Sequence, residues 1–258
     1  MEKNYFAPAF SCVLLFFYGS SFFSFLTAQC TRWIYQVPRR SRSYCFHCQT
    51  SLRCFDLIPV FSYIILRGRC RYCHYPIPSY HLFGEICAGI WTTGLFYGTS
   101  PSLSNCLAFL IGILLLSSSV VDCMILSIPD RFWILMFFLI QLSPSPHHYF
   151  ALLLVYFSLW CMSLSLKGGL GGADIKALSL LACYLPFSPF ILLNLLASGL
   201  ALVWQAYYFF RHRKTKKELP FLPFIALSFI LVYLFSSHLS FPILPLLKFD
   251  SSINFCPS

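Results

Sequence analysis

Charge is what this chain has least of: 10% of its 258 residues are charged, and only eight are acidic. With 58% hydrophobic residues, too few polar side chains remain to clothe a water-soluble globule of this length. The chain also has no glycine-rich cofactor loop. Cys30-Thr31-Arg32, which follows the first apolar stretch, is a poor small-residue cleavage site, so that stretch is expected to be retained rather than removed as a secretory signal. Thirteen cysteines is an odd number. Cys106, Cys161 and Cys183 lie inside apolar runs and read as small packing residues.

What fills the chain is a succession of apolar segments. A helix needs about 20 largely apolar residues to cross the hydrocarbon core, fewer where the bilayer or its neighbours accommodate it. Eight candidates follow one another: 8–29, 82–99, 103–126, 131–144, 148–166, 175–187, 189–210 and 220–239. The fold expected is therefore an all-α polytopic membrane protein of about eight transmembrane helices. Threading them alternately puts sixteen Lys and Arg on one side and only Lys3 and Lys248 on the other. That asymmetry is the positive-inside pattern for a chain with both termini outside the cytoplasm. Nucleic-acid binding would explain the net charge of +10 but has no need of the asymmetry, so no nucleic-acid partner is expected. The basic run 211–217 reads as a topology anchor on anionic lipid.

Four regions follow: a first transmembrane helix at 1–29, a cytoplasmic tetracysteine domain at 30–80, a seven-helix membrane domain at 81–239, and an extracytoplasmic tail at 240–258. In the second, Cys45-Phe46-His47-Cys48 and Cys70-Arg71-Tyr72-Cys73 form two C-x2-C knuckles separated by 21 residues. Two close thiolate pairs can close a tetrahedron around zinc, and each short turn lets both sulfurs face one ion. A redox dithiol is the rival, but it needs one pair rather than two. His47 and His74 adjoin the ligands, although four cysteines already fill a structural site. At this size the module needs a staple to fold, and bound metal supplies one. Its middle, 56–66, is apolar enough to pack on itself or on the bilayer surface.

Two aspartates stand apart from the other acids. Asp122 lies inside the apolar run 114–126, where an ionisable group costs a few kcal/mol and by default marks function. Asp174 follows Gly168-Gly169-Leu170-Gly171-Gly172-Ala173, where small residues permit bending and close approach. Threading puts both at cytoplasmic helix ends, at one depth. Two carboxylates held close share a proton, so one can activate water while the other polarises a peptide carbonyl. Taken alone, Asp122 also reads as a snorkelling or helix-paired acid, and the glycines as helix packing or a re-entrant turn. Asp130, after Ile128-Pro129, is expected to cap a helix start. Lys176 has two open partners, an aspartate or lipid headgroups.

These residues together resemble the prepilin leader peptidase family of polytopic aspartic peptidases. The likeness covers roughly 17–240. It is most specific from Cys45 to Glu85, through the knuckle spacing, Ile58-Pro59-Val60, Leu66-Arg67-Gly68-Arg69, Pro76-Ile77 and Glu85. Asp122 ahead of Pro129-Asp130 is similar to the family's first catalytic motif. Gly171-Gly172-Ala173-Asp174-Ile175-Lys176 stands where the family has Gly-x-Gly-Asp-x-Lys. The resemblance implies Asp122 and Asp174 as catalytic pair, and Cys45, Cys48, Cys70 and Cys73 as metal ligands. It implies a bacterial inner-membrane enzyme that removes the short basic leader of prepilins or pseudopilins at the cytoplasmic face, before an apolar helix. It also implies N-methylation of the new terminus from S-adenosylmethionine.

Three departures stand out. Ala173 replaces the glycine before the second aspartate, and Phe46 stands where many relatives have proline. Ser24-Phe25-Leu26-Thr27 lacks the asparagine of Gly-Ser-Phe-Leu-Asn, on which the methyltransferase half bears. Two other readings remain beside the peptidase: a degenerate, non-catalytic assembly protein, and a transporter using the two aspartates as a relay, for which the cysteine module has no evident use.

Overall fold

The computed structural model describes residues 6–36, 43–97, 102–144, 147–165, 171–213 and 219–238. The glycines Gly168 and Gly169, the basic residues Lys214, Lys216 and Lys217, and the tail from 240 lie outside them. Among the described residues the fold is all-helical, without strands. Nine α-helices follow in order: α1 (Phe6–Ile34), α2 (Phe61–Ile65), α3 (Ser79–Phe96), α4 (Leu103–Ile125), α5 (Asp130–Gln141), α6 (Tyr149–Ser165), α7 (Gly172–Tyr184), α8 (Phe187–His212) and α9 (Leu222–His238). A 3-10 turn occupies Cys54–Leu57.

Local chemistry sets several of these ends. Pro78, Pro129 and Pro186 stand immediately before α3, α5 and α8. A proline disfavours helical backbone in the residue ahead of it, so none of the three helices extends further back. Ser102 caps α4 by accepting the Asn105 N–H at 3.2 Å. The same helix stops at Leu126, in the left-handed conformation with φ 51°. Several boundaries shift by about three to five residues from expectation, two of them near residues of interest. α1 runs through Cys30-Thr31-Arg32 to Ile34, because nothing in that stretch breaks a helix. α7 begins at Gly172 and takes Asp174 into its first turn.

α1, α4 and α8 are long and apolar enough to cross a membrane by length and composition, and α6 and α9 are shorter apolar helices. α4 is the hub: its residues from Leu107 to Asp122, Leu110 aside, are buried, and it packs on α1, α3, α5 and α9. A helix apolar all round belongs at such a centre. The outer helices reverse this. α6 buries no residue fully, and Leu195, Leu202, Val203 and Phe210 of α8 point outward, an apolar surface suited to lipid. In lipid the helices gain little from hiding apolar side chains, so close fit holds them together. Gly19 shows the point: a Cβ there would lie 2.6 Å from the Ala88 carbonyl oxygen and collide with Thr92. α1 and α3 therefore touch backbone to backbone at this glycine.

Candidate active site and metal centre

Asp122 sits in the last turn of α4, only 6% exposed. Its carboxylate faces the backbone N–H of Leu222, the first residue of α9. The first N–H groups of a helix have no partner within it and carry its positive dipole end, so this anion both satisfies a donor and meets favourable charge. Asp174 lies at the N-terminus of its own helix, in the first turn of α7 behind the N-cap Gly171. Its N–H donates to the Gly171 carbonyl at 3.1 Å. Asp122 lies near enough for its charge to be felt at Asp174. The end of α4 and the starts of α7 and α9 are thus the elements that carry the two aspartates and their nearest electrostatic neighbours.

The glycine run can now be read residue by residue. A Cβ at Gly171 would stand 3.0 Å from Asp174 Oδ2, whereas one at Gly172 would meet nothing within 4 Å. Gly171 is therefore small to leave room for the carboxylate, not to reach an unusual backbone angle, since its φ is −66°. Ala173, the departure noted in the sequence, packs its methyl against the hydrophobic core. The structure offers no clash there.

Asp130 and Lys176 form an ion pair across the starts of α5 and α7. Asp130 is the first residue of α5 and makes no side-chain capping bond; Pro129 holds the cap position. The capping role expected for Asp130 is replaced by the bond to Lys176. This also decides Lys176 in favour of the aspartate.

The four cysteines come together. One sulfur from each of Cys45, Cys48, Cys70 and Cys73 lies within 4.8 Å of all the others, and Cys45 Sγ is 3.9 Å from Cys73 Sγ. Tetrahedral zinc with about 2.3 Å bonds puts its sulfurs about 3.8 Å apart, so a small closure completes the site. The two knuckles repeat one turn. Gln49 N–H bonds the Cys45 carbonyl at 2.9 Å with φ 58°, and His74 N–H bonds the Cys70 carbonyl at 3.0 Å with φ 55°. His47 stacks on Tyr75 at 4.5 Å, bracing one knuckle against the other. Thr50, through its side chain and backbone, lowers the Cys48 thiol to about 6, favouring a ready thiolate ligand. Arg71 pairs with the buried Asp56 carboxylate at 2.7 Å and so ties the second knuckle to the 3-10 turn. Cys54, the remaining loop cysteine, is exposed and outside the cluster.

Two features escaped reading from sequence. Glu85 lies well inside α3, where its carboxylate accepts the Val60 N–H at 2.7 Å and a bond from Ser24; only the family resemblance had drawn attention to it. The Leu222 amide carries no side-chain signal at all. Thr27, at the place of the missing asparagine, is buried with its hydroxyl unpartnered.

Comparison with known proteins agrees with this architecture. Residues 17–99 match the family described as the bacterial Peptidase A24 N-terminal domain, and 108–206 match the type IV leader peptidase family. The chain is 30% identical over 204 residues to a prepilin leader peptidase/N-methyltransferase of Burkholderia pseudomallei strain 1026b, covering 72% of this chain and 64% of that one. A protein of the same name from Bacillus subtilis strain 168 is 29% identical over 239 residues, covering 88% of this chain and 95% of that one. The Aeromonas hydrophila relative is 27% identical over 200 residues, covering 72% and 69%. The chain thus spans less than two thirds of the Burkholderia relative's length. No solved structure matches it.

Proposed function

The chain belongs to the type IV leader peptidase family, and on that footing we propose that it is a membrane aspartic endopeptidase with Asp122 and Asp174 as its catalytic pair. The observation that carries this assignment is that two acids from separate helices lie near enough for one to feel the other's charge, each beside a helix N-terminus. With one proton between them, the ionised carboxylate takes a proton from water while the protonated one donates to the scissile carbonyl. The substrate is a prepilin or pseudopilin whose short basic leader precedes an apolar helix. Such a chain lies in the bilayer with its scissile bond at the cytoplasmic face, level with the two aspartates and within reach of water.

The setting we propose is the bacterial inner membrane, crossed eight times, with both termini outside the cytoplasm. The bias of sixteen basic residues against two supports it. Reporter fusions at the two ends read this topology; a cytoplasmic signal from either would overturn it. The four cysteines hold zinc as a structural ion, whose binding energy folds the module between α1 and α3. The relatives' names couple cleavage to N-methylation. We extend that second activity to this chain, with S-adenosylmethionine as donor. It is read as a one-methyl mass gain on the processed terminus, and its absence from fully cleaved product would remove this part.

The test of the peptidase is leader cleavage of a co-expressed, cognate prepilin-like substrate in membranes. Asp122→Asn and Asp174→Asn are each expected to lower cleavage by at least about 100-fold while the protein stays in the membrane. Undiminished cleavage in both variants would sink the assignment. A well-inserted parent chain that leaves its cognate substrate intact would favour a non-catalytic assembly role.

A further inference from the structure

The four-cysteine module carries an apolar face that nothing among the described residues covers. Phe55, Ile64 and Ile65 are 76%, 62% and 70% exposed, and Leu57, Ile58 and Phe61 are also exposed. A water-facing module would not present six large apolar side chains within eleven residues. We infer that the segment 55–65 is a re-entrant loop, sunk into the lipid beside α1 and α3 and held there by Glu85.

Where the segment lies selects the bilayer as its occupant. The Phe61 ring packs on Phe17 of α1 at 5.7 Å, and Phe61 shares an apolar groove with Phe16, Phe17, Ile90 and Thr93. Phe17 lies roughly 22 Å along α1 from Arg32, well beyond a headgroup layer that holds Arg32. The outward face of the loop is thus continuous with the outward face of a helix long enough to span the membrane. The inference rests on α1 crossing the bilayer and not on the peptidase assignment.

Backbone at membrane depth must have its polar groups paired, and around the turn of this loop several N–H groups are. Phe61 N–H bonds the Pro59 carbonyl at 2.7 Å, Ser62 that of Ile58 at 3.0 Å, Ile64 that of Val60 at 3.1 Å and Leu66 that of Ser62 at 3.0 Å. Pro59 has no N–H to satisfy. Val60 is the apex of this turn, with φ 64° and ψ −53°. That tight γ-turn geometry is rare and costly for a β-branched residue. Its N–H points inward to the Glu85 carboxylate at 2.7 Å, so a charged acceptor placed within α3 fixes the turn. Asp56, the one carboxylate in the segment, is matched by Arg71. Arg53, Arg67 and Arg69 flank the loop, exposed, where their long stems can lift the charges to anionic headgroups.

The experiment uses the full chain in phosphatidylethanolamine/phosphatidylglycerol vesicles that include a brominated lipid. A fluorescent amino acid is introduced by nonsense suppression at position 64 or 65, already exposed and so without packing to lose. Position 14 on the outward face of α1 serves as the lipid reference, and position 49 of the first knuckle as the aqueous one. Quenching at 64 and 65 is expected to match position 14 with brominated lipid, while iodide in the water reaches only position 49. Glu85→Ala is expected to shift position 65 toward iodide quenching, and Glu85→Gln, which keeps an acceptor for Val60, to leave it protected. Iodide quenching of 64 and 65 in the parent would overturn the inference in favour of a solvated module. Protection from both quenchers would overturn it in favour of a protein partner such as a second copy. Iodide quenching at position 14 would remove its foundation.

Discussion

At the scale of single residues, two glycines in one motif have different jobs. Gly171 stands 3.0 Å, measured from the Cβ it lacks, from Asp174 Oδ2, and Gly172 faces open space. Gly171→Ala is expected to push the Asp174 carboxylate aside and lower leader cleavage by about 10-fold to 100-fold, since small misplacements of a reacting group are costly. Gly172→Ala is expected to stay within about twofold of the parent, because the added methyl meets nothing and helix formers favour alanine. Equal effects of the two changes would show that the motif needs chain flexibility rather than room for a carboxylate. Ala173 fits the same logic. Its methyl joins the core, so the departure from a glycine motif adds packing at a place where space exists.

At the scale of elements, close helix contact explains which small residues matter. Gly19 brings α1 against Ala88 and Thr92 of α3, while Gly199 of α8 has nothing within 4 Å of its missing Cβ. Gly19→Ala is expected to destabilise the detergent-solubilised protein by about 1–3 kcal/mol, the range for overpacking a tight contact. Gly199→Ala is expected to be neutral or to stabilise by up to about 1 kcal/mol. Thermal unfolding of the two variants beside the parent reads both signs, and a stabilising Gly19→Ala would mean that α1 and α3 do not touch as described. The pair Lys176–Asp130 joins α7 to α5 but is partly exposed, which limits it to about 1 kcal/mol or less; the two helices also pack directly on each other.

At the scale of the whole molecule, a small thiol-rich module is set on a helical bundle, and the two depend on different forces. The module has too little core to fold unaided, while the bundle buries α4 on all sides. Removing metal by a strong chelator, or changing Cys48→Ser, is expected to open 43–78 to trypsin at its exposed arginines while α4, α7 and α9 keep their helical signal. Proteolytic mapping with circular dichroism checks this. A module that resists trypsin after its metal is shown to be gone would mean that Glu85, Asp56 and the stacked rings hold it without an ion.

Much of this was legible in the sequence because it depends on local or periodic signals. Each expected apolar run overlaps a helix, within about five residues at its ends, and the matched C-x2-C spacing foretold a four-sulfur cluster, since two short turns suffice to converge thiols. An aspartate amid leucines and another behind glycines announced themselves by being costly where they stood. Tertiary structure alone decided what those groups meet. The Leu222 amide reaches Asp122 from the far end of the chain, Glu85 captures a strained turn at Val60, and Lys176 chooses Asp130. Sequence spacing cannot announce such partners, because a backbone N–H is the same in every residue and a long-range contact exists only once the helices have packed.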